Sequence, residues 1–175
     1  MDVCEVMVVA IEMEAESERF YQQAASTSSN PLAIRTFEAL AEWEVEHRRL
    51  LEAVHAKAEA TQSCPTLAEL EAEELDMIEH AELIFKTALQ DVDDTLAHDP
   101  TLSGAYATAM EKERKAIAFY QEQLEATEDP NEKQLYEFLL KQERGHLSLL
   151  ATTEEYLNDT KYWFFKEEMW FATPG

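Results

Sequence analysis

The sequence predicts an all-α protein: a four-helix bundle made of two repeated helix hairpins joined by a long, partly helical crossover. Three observations predict it. Apolar residues recur at helical spacing over stretches of roughly 25–30 residues. Only three Gly and five Pro are available in 175 residues, too few for the turns of a many-stranded sheet. The chain also repeats itself without a gap at an offset of 99 residues. Val and Ile are sparse and do not alternate with polar residues, so strands find no support.

The elements follow from the punctuation. A first helix is expected over about residues 3–26, with Val9, Met13, Phe20 and Ala24 as its apolar stripe. Ser28-Ser29-Asn30-Pro31 ends it and starts the second, over about 32–62, because a capping side chain before proline suits a first turn. Phe37, Leu40, Leu51 and Val54 form the second stripe. Cys64-Pro65-Thr66 breaks the chain again, and a crossover helix is expected over about 67–97. Asp99-Pro100 opens a helix over about 101–126, and Asp129-Pro130 opens the last, over about 131–157, with Leu135, Leu139, Leu149 and Leu150 as its stripe. Residues 1–158 thus read as the bundle. Residues 159–175 read as a tail whose Trp163, Phe164, Phe165, Trp170 and Phe171 are too aromatic to stay in water. That tail is expected to pack on the bundle or on a second subunit, and a homodimer is expected.

Charge narrows the function. Asp and Glu number 37 against 14 Lys and Arg, a formal net charge of −23. Nucleic-acid binding needs clustered cations, and so does docking on an anionic membrane; both are excluded as expectations. With 46% hydrophobic and 10% aromatic residues, the chain is too apolar for a disordered acidic tail. Much of the surplus falls in residues 66–99, where eleven acidic residues face Lys86 alone, and this reads as a solvated face. Cys4 and Cys64 are too few for a disulfide scaffold or a four-thiolate metal knot, and are expected to be inert. The start, MDVCEVMVVAIEMEAE, is acidic where a secretory signal is basic, and no stretch approaches ~20 apolar residues; a cytoplasmic location is expected.

The repeat aligns AIEMEAESERFYQ (10–22) with AMEKERKAIAFYQ (109–121), and FEALAEWEVEHRRLL (37–51) with YEFLLKQERGHLSLL (136–150). Several matched residues are titratable on otherwise apolar stripes. Glu14 and Glu113 correspond, as do Glu44 and Glu143, His47 and His146, and Tyr21 and Tyr120. An isolated buried carboxylate is costly, so these groups need partners. Glu44-x-x-His47 and Glu143-x-x-His146 each place a carboxylate and an imidazole on one helix face, able to ligate one ion. A Glu from each of two helices plus two Glu-x-x-His motifs is the donor set of di-iron and di-manganese carboxylate bundles. Oxygen donors with some nitrogen suit Fe or Mn, and the lack of thiolate argues against structural zinc. Four carboxylates would balance two divalent cations. Tyr21 and Tyr120 either fill the core with a satisfied hydroxyl or hold a ligand carboxylate in position. A third match, Glu52-x-x-His55, has Ala151 and Glu154 across the offset and reads as coincidence, with His55 on the surface. His80 and His98 also read as surface, and Glu12, Glu16, Glu18, Glu38, Glu111 and Glu137 as solvated or supporting residues.

At AIEMExxxxxFY, LAEWExxH, AMEKExxxxxFY and LLKQExxH the sequence resembles the rubrerythrin branch of the ferritin-like superfamily, over about residues 10–150. The resemblance implies a ferritin-like bundle with two Fe ions per site, reacting with hydrogen peroxide or oxygen. It implies Glu14 and Glu113 as terminal ligands, Glu44 and Glu143 as bridges, and His47 and His146 as one ligand on each iron. Rubrerythrins proper add a rubredoxin domain with four cysteines; this chain has two cysteines, so its electrons are expected from a separate donor protein. They also carry an extra ligand Glu where this chain has Ala116, a change that makes the site more symmetric and nearer to a generic ferritin-like oxidase. The expectation is an oxidoreductase in oxidative-stress or iron handling. The alternatives are a ferroxidase or iron-sequestering protein, and a metal-free acidic adaptor.

Overall fold

Helix starts are set by short capping side chains. In the computed structural model, which describes residues 2–70, 84 and 100–158, Asp2 and Glu5 exchange hydrogen bonds in a capping box that opens α1 (Val3–Thr27). Asn30 Oδ1 accepts from the N–H groups of Leu32 and Ala33 at 3.0 and 3.1 Å, with Pro31 beginning α2 (Pro31–Thr61). Asp129 Oδ1 does the same for Asn131 and Glu132 at 2.8 and 3.1 Å, and opens α4 (Pro130–Asn158). The remaining helix, α3, runs Pro100–Ala126. All four lie within two residues of the expected bounds.

At the end of α2, Gln62 takes a left-handed conformation (φ 57°) and its N–H closes on Ala58 O at 2.8 Å. Thr66 and Glu69 then bond reciprocally, Glu69 Oε2 accepting from Thr66 N at 2.8 Å and Thr66 Oγ1 from Glu69 N at 3.2 Å. They fix a 3-10 turn over Ala68–Leu70 where the expected crossover helix was to begin. Beyond it only Ile84 is described, helical and packed against the core. The rest of that expected helix, His80, His98 and the aromatic tail 159–175 lie outside the described residues. Among the described residues no helix is long and apolar enough to cross a membrane.

The helices pair as two hairpins, α1 on α2 and α3 on α4, which meet through α1 against α3 and α2 against α4. This is an all-α four-helix bundle. Its interior is two apolar clusters. One gathers Tyr21, Leu32, Phe37, Leu40, Tyr106, Ala109, Leu149 and Leu150. The other gathers Met7, Ala10, Leu51, Val54, Ala116, Tyr120, Leu135 and Leu139. On every helix the two sets are separated in sequence by the titratable residues, so the polar layer lies between two apolar ones.

One expected stripe shifts. Val9 is 38% exposed and Met13 and Phe20 are only partly buried, while Met7, Ala10, Glu14, Tyr21 and Ala24 face inward on α1. The true face is rotated because it must carry Glu14 and Tyr21, which hydrophobicity alone does not mark. The two-fold is also broken in the core. Tyr106, Thr36 and Thr153, all fully buried, stand where the other half has Met7, Leu135 and Val54. Thr153 Oγ1 donates to Leu149 O at 2.8 Å, and Tyr106 packs tilted by 38° against Phe37 with centroids 4.9 Å apart.

Candidate metal centre

Six titratable side chains meet midway along the bundle: Glu14 from α1, Glu44 and His47 from α2, Glu113 from α3, Glu143 and His146 from α4. None is more than 4% exposed. His47 Nδ1 lies 3.2 Å from Glu143 Oε1, 3.7 Å from Glu44 Oε2 and 3.9 Å from Glu14 Oε2. His146 Nδ1 mirrors it, 3.4 Å from Glu44 Oε1 and 3.5 Å from both Glu113 Oε2 and Glu143 Oε2. Each imidazole therefore faces three carboxylates, with Glu44 and Glu143 common to both. The two tyrosines cross between hairpins: Tyr21 donates to Glu113 Oε1, and Tyr120 to Glu14 Oε1. Both rings are fully buried in the apolar clusters, and the groups that satisfy their hydroxyls are these two carboxyls.

Without a cation, protons must compensate the charge. Burial, then repulsion from Glu44 and Glu143, pushes the Glu14 carboxyl well above the usual range. Burial and the Glu143 charge do the same to Glu113. Burial also opposes ionisation of Glu44, but its close approach to Glu14, His146 and His47 outweighs that and holds Glu44 at about 2. Glu143 is driven well down against its burial by the closely facing imidazoles of His146 and His47. Burial would lower His47, yet Glu143 and Glu44 raise it to about 9, and His146 is raised well above its ordinary value by Glu113, Glu143 and Glu44. Protons are thus drawn towards Glu14, Glu113 and the two imidazoles and away from Glu44 and Glu143.

Many of these atoms still lack a proper hydrogen bond. Glu44 Oε2, Glu113 Oε2, Glu143 Oε1 and both ring nitrogens of His47 and of His146 are buried with no hydrogen-bond partner. Orphaned buried polar atoms are costly, and so many in one place call for a ligand. Two ligands held at about 2.1 Å from one octahedral cation lie about 3 Å apart, close to the separations seen here. Glu44, His47, Glu143 and His146 offer ligand atoms all within 4.8 Å of one another, a group able to hold a metal ion. Carboxylates with neutral imidazole fit iron or manganese, so the residues present fit the group.

The rubrerythrin family profile matches residues 5–154. The chain belongs to the rubrerythrin family. No curated protein and no solved structure gives a significant match. Family membership and the buried carboxylate–imidazole group together mark this as a metal site. Ala116, where the family's extra carboxylate ligand was expected, is buried in the apolar cluster beside the centre and offers no ligand atom.

The other sequence candidates lie apart from it. Glu12, Glu16, Glu38, Glu111 and Glu137 are exposed, and Glu18 pairs with Arg48 at 3.1 Å. His55 is 25% exposed rather than fully on the surface, 3.9 Å from Glu59, and takes no part. Cys64 is buried, its thiol pushed up by burial to about 12, and so unreactive. Sequence reasoning passed over Trp43 and Gln142, the residues just before Glu44 and Glu143. Their signal was available: both occupy one position of the repeat, and they differ.

Proposed function

We propose that the chain is a non-haem di-iron carboxylate oxidoreductase that reduces hydrogen peroxide or oxygen with electrons from a separate donor protein. The observation that carries this reading is the two-fold set of buried donors, in which His47 and His146 each face three carboxylates and share Glu44 and Glu143. Two iron ions bound there supply two electrons by passing from ferrous to ferric, enough to reduce one peroxide to two waters with two protons. By the family resemblance Glu14 and His47 would hold one ion and Glu113 and His146 the other, with Glu44 and Glu143 as shared ligands.

The chain's own groups prepare that chemistry. Tyr21 and Tyr120 fix the outer carboxylates by one oxygen each, leaving the second oxygen of each carboxyl for the ion. Apolar layers on both sides, with Leu40 and Leu150 on one and Ala10, Leu139 and Ala116 on the other, keep bulk water out.

The test is to load purified protein anaerobically with Fe(II), determine iron per chain, and mix it separately with peroxide and with oxygen. Two irons per chain and a bridged diferric absorption formed in a peroxide burst are expected. Glu44→Ala and His146→Ala should abolish iron retention; unchanged iron content in both would sink the assignment. A second reading, with Fe(II) itself as substrate for oxidation or sequestration, is favoured by one observation, the apolar Ala116. Comparable consumption of oxygen and turnover of many irons per chain would establish that reading instead.

A further inference from the structure

Two residues break the symmetry of the centre. Trp43 stacks on His146 of the opposite hairpin, ring centroids 5.3 Å apart and planes 10° off parallel. His146 stacks in turn on His47, at 5.1 Å and 17°. Gln142 matches Trp43 across the 99-residue offset. Applied to Trp43 on His146, the two-fold that exchanges Tyr21–Glu113 with Tyr120–Glu14 assigns Gln142 to the His47 side of the centre.

Gln142 is 1% exposed, and neither its Oε1 nor its Nε2 has a hydrogen-bond partner. His47 Nε2 is equally buried and equally orphaned. The two deficits are complementary. His47 Nδ1 is the nitrogen within 3.2 to 3.9 Å of three carboxylates, so it is the one placed to hold a cation. An imidazole that ligates through Nδ1 keeps its proton on Nε2, which must then donate. An amide oxygen can accept that proton; an indole has a donor and no acceptor, so Trp43 cannot offer the same to His146.

We propose that Gln142 is the positioning residue of the His47 half of the centre. Its amide oxygen accepts from His47 Nε2 when Nδ1 binds the ion, and the two metal positions differ in affinity, the one at His47 being the tighter. This rests on the metal centre assigned above.

Anaerobic calorimetric titration of the full chain with Mn(II) tests it, paired with melting of the metal-free protein. The wild type should bind two Mn(II) in resolved steps at least tenfold apart. Gln142→Leu should weaken the tighter step by roughly 10-fold, within the 10–100-fold range of such supporting contacts, and leave the weaker one unchanged. The same variant should melt at or above the wild-type temperature without metal, since it removes an unpaired buried amide. Gln142→Glu keeps an acceptor and should retain two resolved steps. Unchanged affinities in Gln142→Leu, or a loss of both steps together with a lower metal-free melting temperature, would overturn the proposal while leaving the metal centre standing. Failure of the wild type to bind Mn(II) or Fe(II) at all would remove both.

Discussion

Single hydroxyl groups decide how well the outer carboxylates are held. Tyr21→Phe leaves one oxygen of Glu113 without its donor, and Tyr120→Phe does the same to Glu14. Each should cost about 1–3 kcal/mol of metal-free stability, because a buried polar partner is orphaned. Each should also weaken metal binding by roughly 10-fold or more. Denaturant unfolding with and without Mn(II) measures both effects on one sample. Equal stability in Tyr21→Phe would mean that the ring, not the hydroxyl, matters at that position. The pairings across the offset made these residues visible in the sequence. What was not visible was the crossing, with each tyrosine serving the carboxylate of the other hairpin.

The helices owe their placement to a few caps and their stability to the two apolar clusters. Asn30 satisfies two orphan N–H groups, so Asn30→Ala should cost about 1 kcal/mol. Leu51 and Leu139 are fully buried, and truncating either to Ala should cost about 2–5 kcal/mol. Val8, 55% exposed, is the control: Val8→Ala should change stability by no more than about 0.5 kcal/mol. Chemical denaturation of the four variants ranks them, and a cap as costly as a core leucine would contradict the layering. Because Gly and Pro are so scarce, helix ends were legible to within two residues. Facing was less legible on α1, where Val9 appears apolar enough to be core yet is turned outward by the demands of Glu14 and Tyr21. The polar trio Tyr106, Thr36 and Thr153 was not foreseen, since each is unremarkable alone and meets the others only across helices.

Taken as a whole, the molecule trades protons for cations. His47 is raised from 6.5 to about 9 in the folded protein, so its contribution is present below pH 6.5 and lost as pH rises towards 9. Glu14 and Glu113 are also raised, so their contribution falls as pH rises above 4.5. Glu44 is depressed from 4.5 to about 2, so its contribution is present above pH 4.5 and lost as pH falls towards 2. The metal-free protein should therefore melt at a lower temperature at pH 8.5 than at pH 5.5. Saturating Mn(II) should shrink or reverse that difference, because the ions replace the protons. Glu14, Glu113, His47 and His146 are all shifted towards their protonated forms, so metal binding should release protons, measurable with a pH indicator. A metal-free melting temperature that rises from pH 5.5 to 8.5, or a release near zero, would contradict a proton-held centre.

The 99-residue repeat lies in one covalent chain, and this has a consequence of its own. Were the same bundle assembled from two identical hairpins, any substitution would appear at both ions at once, since symmetry would copy it. Joined in one polypeptide, the halves can drift independently, as Trp43 opposite Gln142 and Tyr106 opposite Met7 have done. Fusion thus converts a pair of equivalent seats into two addressable ones, each with a reference copy under the same solvent, temperature and metal supply.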